Sequence, residues 1–239
     1  MVRSHRIRLF PFLPDTKPAF SPMHKITLIC SSHRESGHCN VRELLRILQE
    51  LEPDTIFEEV RPTDCTSHNK FILEGRAVTA YRMFKSFQRV PIDQFDMPPH
   101  LRAVMDSVLK YVSATSPEYL ALGQEHDSAV LLQGFTYLNS LACERVMTRM
   151  SEIEERTSNY SGDQSLIRAL GMWREFTQRR DAAMVSNIYK YCRENTFDTG
   201  LFLVGAAHRG GVAEAIKQYA SAEAELVEWT FGLGRDRQR

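Results

Sequence analysis

Two stretches of the chain, about 175 residues apart, repeat one order of elements: a short apolar strand, a loop with a histidine, a helix and a second strand. They are residues 26–60, ITLICSSHRESGHCNVRELLRILQELEPDTIFEEV, and residues 201–231, LFLVGAAHRGGVAEAIKQYASAEAELVEWTF. Apolar, β-branched runs that alternate with helical spacing are typical of parallel strands joined by helices. The repeat therefore predicts an α/β fold with a mixed or largely parallel central sheet built from two strand–xxxH–helix–strand units.

The histidines occupy the same place in both units. His33 comes three residues after Cys30, and His208 comes three residues after Gly205, the small residues that close the two strands. If both strands run parallel in one sheet, both histidines leave its carboxyl-terminal edge, where open α/β sheets bind ligands. A neutral imidazole there can bind a divalent metal or accept a proton near neutral pH.

Two acidic residues end the second strand of the first unit. Successive side chains of a strand point to opposite faces, so only one of Glu58 and Glu59 can face the histidines. We expect Glu59 to do so, with Glu58 as the alternative. A carboxylate at this strand end would serve as a metal ligand, as a general base for water, or as a partner for an arginine.

The chain is long enough for one sizeable domain. We place it at residues 24–231, with a mainly helical insertion at about 100–195. Residues 1–23 form a basic leader without the apolar core of a secretory signal, and residues 232–239 form a polar tail. The five cysteines include no CxxC pair, which favours reduced thiols in a cytoplasmic protein over a disulfide framework or a zinc knuckle.

Several local signals predict element boundaries. Asn40 is a plausible N-cap for the first helix, and a second helix is expected over about 69–86. The sequence VPIDQF predicts a middle strand. The polar stretch RTSNYSGDQS predicts a break between the helices of the insertion, and Gly171 a further interruption.

Charge and motif content restrict the class of partner. Lys plus Arg and Asp plus Glu each total 30, which gives no sign of a nucleic-acid footprint or of binding to an anionic membrane. No apolar run approaches the roughly 20 residues of a membrane span. GxSxG, GxxxxGK[ST] and HExxH are absent from the sequence. The expected partner is a small-molecule or peptide substrate, and the oligomeric state stays open.

The ordered set of motifs resembles the family that includes TraB and PrgY proteins and the TIKI proteases. It belongs to a wider group with erythromycin esterases and haem-binding ChaN proteins. In this family a strand ends in GxxH, the next strand ends in an acid after Pro-Asp, a helix begins with Arg-Asp or Arg-Asn, and a second GxxH follows. Here CSSH places His33 at the first motif, PDTIFEE supplies Glu59, RRDAAM supplies Arg180 beside Asp181, and VGAAH supplies His208.

The resemblance implies a site, not one reaction, because members look like metal-dependent proteases, metal-independent esterases or iron and haem binders. It implies His33, Glu59, Arg180 and His208 as catalytic residues. His33, Glu59 and His208 would be the ligands if a divalent Mn, Co or Zn ion is bound. The VPID strand resembles the family's middle strand, so that Asp93 would face the site.

The neighbouring charged residues Arg180 and Asp181 of RRDAAM have separate expected roles. Arg180 would pair with Glu59 or stabilise an oxyanion, unless it lies on a solvated helix face, and Asp181 would orient a histidine. The chain departs from the family at Cys30, which stands where the first glycine is found. Cysteine does not freely take positive φ, so a left-handed backbone there would require a different loop.

The sequence thus leaves three functional hypotheses. The first is a hydrolase of amide or ester bonds with a His/Glu/Arg pocket at the sheet edge. The second is a non-catalytic regulatory protein that binds a ligand, haem or iron, or a peptide. The third is a degenerate family member whose site is idle.

Overall fold

The structure is a computed structural model that describes residues 23–64 and 72–233. The expected leader, apart from residue 23, and the last six residues of the polar tail lie outside these ranges, as does the start of the helix expected at 69. The elements follow in the order β1 (His24–Ser31), α1 (Val41–Leu51), β2 (Thr55–Glu58), α2 (Leu73–Tyr81), β3 (Gln88–Pro91), α3 (Pro99–Thr115), α4 (Pro117–Gln133), α5 (Phe135–Leu138), α6 (Leu141–Ser161), α7 (Gln164–Glu194), β4 (Thr199–Gly205), α8 (Arg209–Ala222) and β5 (Val227–Phe231).

The five described strands form one sheet in the order β3-β2-β4-β1-β5, and every neighbouring pair is parallel. The predicted α/β class is confirmed, with the sheet parallel throughout. The two repeated units are β1–α1–β2 and β4–α8–β5. The central strands are apolar on both faces because helices cover both sides of a parallel sheet.

The connections place a crevice between the two central strands. The chain leaves β1 toward β2 and leaves β4 toward β5, on opposite sides of the β4–β1 pair. Right-handed crossovers therefore put α1 and α8 on opposite faces of the sheet. α2 packs with α1, and α7 packs with α8. The carboxyl ends of β1 and β4 thus form the topological switch point, which is where open α/β sheets bind ligands.

Local capping explains how the loop after β1 enters its helix. Asn40 is the N-cap of α1, as predicted, and its side chain accepts a hydrogen bond from the amide of Glu43 at 3.0 Å. Gly37 and Gly134 both have positive φ. A side chain on either would collide with backbone, that of Leu131 or that of His38. These two close approaches dock the loop that carries His33 onto the end of α4.

The helical insertion has a core of its own. Helices α3, α6 and α7 bury a second apolar cluster, separate from the core around the sheet: Met105, Val108, Val112, Ile153, Ala169 and Leu170. The last third of α7 instead packs on the sheet through Met184, Val185 and Ile188. Helix α7 has 31 residues and is about 46 Å long. It therefore joins the insertion to the sheet in one continuous rod.

The predicted break between the helices is confirmed but is short, and the interruption expected at Gly171 is wrong. Helix α6 continues through most of RTSNYSGDQS, and only Gly162 and Asp163 separate it from α7. Gly171 lies inside α7 without breaking it. A helical glycine costs about 1 kcal/mol, and the neighbouring Ala169 and Leu170 offset this cost by packing in the second core.

The middle strand lies earlier than VPIDQF predicted, because β3 is Gln88–Pro91. The chain leaves the sheet at Ile92, and Asp93 lies just beyond the strand end. Among the described residues, no helix combines the length and apolarity needed to cross a bilayer.

Candidate functional site

A cluster of charged side chains lies at the switch point, drawn from five separate segments of the chain. Its members are His33, Glu59, Asp93, Arg180, Asp181 and His208. The loops after β1, β2, β3 and β4 and the middle of α7 supply them. The structure therefore brings together all four residues predicted as catalytic.

Glu59 lies at the centre of this cluster, one residue beyond the end of β2. Its Oε2 accepts a hydrogen bond from the amide of Gly205 at 2.7 Å, and its Oε1 accepts one from Arg180 Nη2 at 2.6 Å. His208 Nε2 lies 3.2 Å from Oε1. Burial alone would raise the pKa of Glu59, but the hydrogen bond and charge of His208, with the charge of Arg180, lower it to about 2. Glu59 is therefore ionised and is a poor proton acceptor.

His208 is held between two carboxylates. It ends a single 3-10 turn after β4, and its Nδ1 lies 2.6 Å from Asp181 Oδ1. Burial opposes protonation, yet the hydrogen bonds and charges of Asp181 and Glu59 raise the pKa of His208 to about 9. The imidazolium form donates from Nδ1 to Asp181 and from Nε2 to Glu59, so His208 is a cation at neutral pH.

Arg180 joins the two sides of the cluster. Its Nε donates to Asp93 Oδ2 at 2.9 Å while its Nη2 donates to Glu59, and its Nη1 lies 3.1 Å from His208 Nε2. Only 17% of the side chain is exposed, so Arg180 is a buried bridge, not part of a solvated helix face. Asp93 faces the site, as predicted from the resemblance.

Asp181 depends on a glycine in the following helix. A β-carbon on Gly211, in the first turn of α8, would lie far inside van der Waals contact with Asp181 Oδ2. The absence of this side chain lets the carboxylate approach the start of α8, where the helix dipole favours negative charge. Burial raises the pKa of Asp181, and the hydrogen bond with His208 opposes that rise.

His33 reaches the cluster from the other face of the sheet. Its Nδ1 lies 3.2 Å from Oε1 of the buried Glu74 in α2, and this hydrogen bond raises the pKa of His33 against the effect of burial. The His33 side chain is 52% exposed, in contrast to 12% for His208. His33 is therefore the histidine that a ligand can reach directly.

Gly205 lets His33 approach Glu59 over the end of β4. A β-carbon on Gly205 would lie 3.1 Å from His33 Nε2 and 3.4 Å from Glu59 Oε2. The backbone of Gly205 is ordinary, with φ −61° and ψ 140°, so close approach and not a left-handed conformation explains the glycine. Beside this contact, a cavity of about 10 Å³ is bordered by His33, Glu59 and Glu74. It has about the volume of one water molecule.

Glu59, and not Glu58, faces the charged cluster, as the alternation of side chains along a strand predicted. Glu58 lies on the opposite face from Glu59, where Arg89 donates to both of its carboxylate oxygens, at 2.6 and 2.9 Å. This bidentate pair is buried, and it keeps Glu58 apart from the charged cluster.

Cys30 is compatible with this site. In the β1–β4 register it pairs with Val204, and Ser31 pairs with Gly205, so the two repeats are offset by one residue. The amide of Cys30 donates to Asn139 Oδ1 at 2.8 Å. Cys30 does not have a positive φ. The glycine that the family pattern has at this position is therefore not needed here.

Sequence reasoning missed two residues, Glu74 and Gly211. Glu74 belongs to no motif; the only signal was a lone acid in the first turn of α2. Gly211 was visible as the second glycine of HRGG, but its contact with Asp181 depends on the packing of α7 against α8.

The residues proposed as metal ligands do not suit a metal. Both ring nitrogens of His208 are already directed at carboxylates, and a metal ion would have to displace a proton that the raised pKa of His208 retains. The guanidinium of Arg180 also places a positive charge beside Glu59. No group of three or more His, Cys, Asp or Glu residues in the described part of the chain is arranged to hold a metal ion.

Comparisons with protein-family models, with curated proteins and with solved structures gave no match.

Proposed function

We propose that the protein hydrolyses an amide or ester bond in a small-molecule or peptide substrate, without a metal ion. The observation that carries this proposal is the approach of His33 to Glu59 at Gly205, because Glu59 in turn holds the buried cations Arg180 and His208. An exposed imidazole therefore lies beside a carboxylate that holds two fixed positive charges. The same set of residues supports membership of the TraB-, PrgY- and TIKI-like family.

The two histidines have different environments and therefore different roles. His208 stays protonated because its pKa is about 9, and Glu59 stays ionised because its pKa is about 2. His33 is half-exposed, with one nitrogen held by Glu74, so its Nε2 is the group that exchanges protons with substrate. Environments that separate the pKa values of neighbouring groups in this way are typical of acid–base sites.

The reaction follows from these assignments. His33 Nε2 takes a proton from water while the water oxygen bonds to the carbonyl carbon, and the carbonyl π-electrons move to its oxygen. The tetrahedral oxyanion then collapses and the C–N or C–O bond breaks. His33 returns the proton to the leaving amine or alcohol, and the acyl part leaves as a carboxylic acid. One water molecule is consumed and His33 ends in its starting form.

The positive charges of Arg180 and His208 would stabilise the oxyanion. Both groups are held by carboxylates before the substrate arrives, so little reorganisation is needed. Removal of one oxyanion donor typically costs about 10²- to 10³-fold in kcat. The buried carboxylates would hold these cations in place and do not take up the substrate's proton.

A hydrolysis panel tests the proposal. Purified wild type, His33→Gln, His208→Gln and the control His38→Gln are assayed on p-nitrophenyl esters and peptide p-nitroanilides. His38 is an exposed histidine of the same loop. We expect His33→Gln and His208→Gln to lose about 10²-fold or more of the turnover and His38→Gln to keep it. Turnover that survives in His33→Gln contradicts the proposal, and ligand-induced thermal stabilisation without turnover supports the regulatory alternative.

We also propose a cytoplasmic location. The four cysteines within the described ranges are all buried free thiols, which is typical of a reducing compartment.

A further inference from the structure

We infer that Glu74 is a positioning residue that fixes the tautomer and ring orientation of His33, so that Nε2 faces Gly205 and Glu59 as the reactive nitrogen. This inference rests on the proposed function, since it assigns the proton-transfer atom of that same site. The role was not predicted from the sequence, in which Glu74 belongs to no motif.

The carboxylate of Glu74 holds His33 through a single oxygen. Oε1 lies 3.2 Å from His33 Nδ1 and also accepts a hydrogen bond from the hydroxyl of Ser31. Ser31 is the last residue of β1, and Glu74 is the second residue of α2. The strand end therefore anchors the carboxylate, and the carboxylate anchors the imidazole.

The backbone ties the same two segments together. The amide of Leu73 donates to the carbonyl oxygen of His33 at 3.5 Å, so the start of α2 lies directly against the His33 loop. An acid in the first turn of a helix is stabilised in its ionised form by the helix dipole. The start of α2 is thus a place where Glu74 keeps its charge even though it is buried.

The protonation of the imidazole follows from this contact. A neutral histidine carries one N–H, and an ionised carboxylate only accepts hydrogen bonds. In the neutral form of His33, the form that can accept a proton, the proton therefore lies on Nδ1 and the lone pair lies on Nε2. Burial would raise the pKa of Glu74, but the hydrogen bond and charge of His33 and the hydroxyl of Ser31 hold it below its usual value. Glu74 is therefore ionised near neutral pH.

Stability alone does not explain a carboxylate at this position. The Glu74 side chain is only 8% exposed, and its Oε2 has no hydrogen-bond partner among the described residues. A buried polar atom without a partner lowers the free energy of unfolding. The partner on Oε1, His33, is half-exposed, and ion pairs of exposed groups contribute little stability. A buried carboxylate that leaves one oxygen without a partner and contacts a site histidine points to function.

The test compares Glu74→Met with Glu74→Gln. Methionine keeps the length of the side chain and removes both carboxylate oxygens, while glutamine keeps an acceptor for Ser31 and His33. Glu35→Gln is the matched control, since Glu35 lies in the His33 loop but pairs with Arg76 on the surface. Kinetics use the best p-nitrophenyl ester or peptide p-nitroanilide of the panel. The ¹⁵N spectrum of histidine-labelled protein reports the tautomer of His33, assigned with His33→Gln.

We expect Glu74→Met to lose roughly 10²- to 10⁴-fold in kcat with KM within about threefold, and to lose the Nδ1–H tautomer of His33. Its midpoint of thermal unfolding should stay the same or rise. Glu74→Gln should keep part of the turnover, and Glu35→Gln should match wild type. Retained kcat or a retained Nδ1–H tautomer in Glu74→Met overturns the inference, as does a loss of kcat that Glu35→Gln shares.

Failure of the proposed function gives a different result. In that case wild type turns over no substrate of the panel, and the nitrogen spectrum still decides the role of Glu74. A wild-type His33 that carries its proton on Nε2 overturns the inference whatever the kinetics show.

Discussion

His33 Nε2 lies 3.1 Å from the position that a β-carbon on Gly205 would occupy. Gly205→Ala should therefore push the half-exposed His33 ring outward, away from Glu59. A misplacement of about 1 Å at a reacting group can cost roughly 10²-fold in rate. We expect a loss of turnover of that order with little change in thermal unfolding, because His33 can move into solvent. Hydrolysis assays and thermal melts measure both quantities.

The control for this change is Gly210→Ala, because a β-carbon on Gly210 meets no atom within 4 Å. Equal turnover in Gly205→Ala and Gly210→Ala would show that the contact between His33 and Gly205 has no part in the reaction.

Gly211→Ala should separate Asp181 from His208. The added carbon would overlap Asp181 Oδ2, and the carboxylate must move for α8 to keep its place against α7. Because Asp181 is buried, we expect about 1 to 3 kcal/mol less stability as well as a loss of turnover. Urea unfolding together with hydrolysis assays tests this. Gly210→Ala, in the same turn, is the control. If Gly211→Ala is as stable and as active as Gly210→Ala, the contact between Gly211 and Asp181 does not hold Asp181 against His208.

Stability should fall as the pH rises from about 6.5 to about 9. The pKa of His208 is 6.5 ordinarily and about 9 in the folded protein. A group whose pKa is raised by folding stabilises the fold fully below its unfolded pKa, and this stabilisation is lost as the pH passes through the folded pKa. For His208 the loss amounts to about 3 kcal/mol at most. Urea unfolding at pH 6, 7.5 and 9 measures it, and His208→Gln should have a much flatter profile. Identical slopes in the two proteins would contradict the assigned charge of His208.

Glu58→Gln should affect stability without affecting the reaction. It breaks the buried bidentate pair with Arg89, and loss of one partner of such a pair typically costs about 3 to 5 kcal/mol. The matched control is Glu50→Gln, which breaks an exposed pair with Arg46 and should cost less than about 1 kcal/mol. At temperatures well below unfolding, kcat of both variants should equal that of wild type. A selective loss of kcat in Glu58→Gln would place Glu58 in the site after all.

Divalent metal should not bind at the charged cluster. Calorimetric titration of wild type with Mn²⁺, Co²⁺ and Zn²⁺ should give the same isotherms as titration of His208→Gln, because both nitrogens of His208 are already directed at carboxylates. EDTA treatment should leave turnover unchanged. A binding event present in wild type and absent from His208→Gln would restore the metal hypothesis.

Much of the fold could be predicted from the sequence, because the patterns that mark its strands and helices are local. The apolar runs that become β1 and β4 are buried on both faces, and the spacing of Leu44 and Leu48 marks α1. The choice of Glu59 over Glu58 needed only the alternation of side chains along a strand. The ends of the long helices were harder to predict. Packing in the second core keeps α6 and α7 helical through polar residues and through Gly171.

Only part of the site could be predicted from the sequence, because a motif identifies residues but not the side chains that contact them. The pattern identified His33, Glu59, Arg180 and His208 as a group. Whether a histidine binds metal or stays protonated depends on which charges converge on it, and for His208 these come from the ends of β2 and the middle of α7. Glu74 was missed because its partner His33 lies 41 positions earlier along the chain and on another element.

The pairing of β1 with β4 also has a consequence for how the chain folds. Their register runs from Lys25 opposite Thr199 to Ser31 opposite Gly205, so the chain must close a loop of about 170 residues before these strands meet. Helix contacts within the insertion are more local and form on shorter loops. A nascent chain that stops before His208 has only one of the two histidines. Competence for chemistry therefore arises only after β4 and the loop with His208 have been synthesised and the long-range pairing of β1 with β4 has formed.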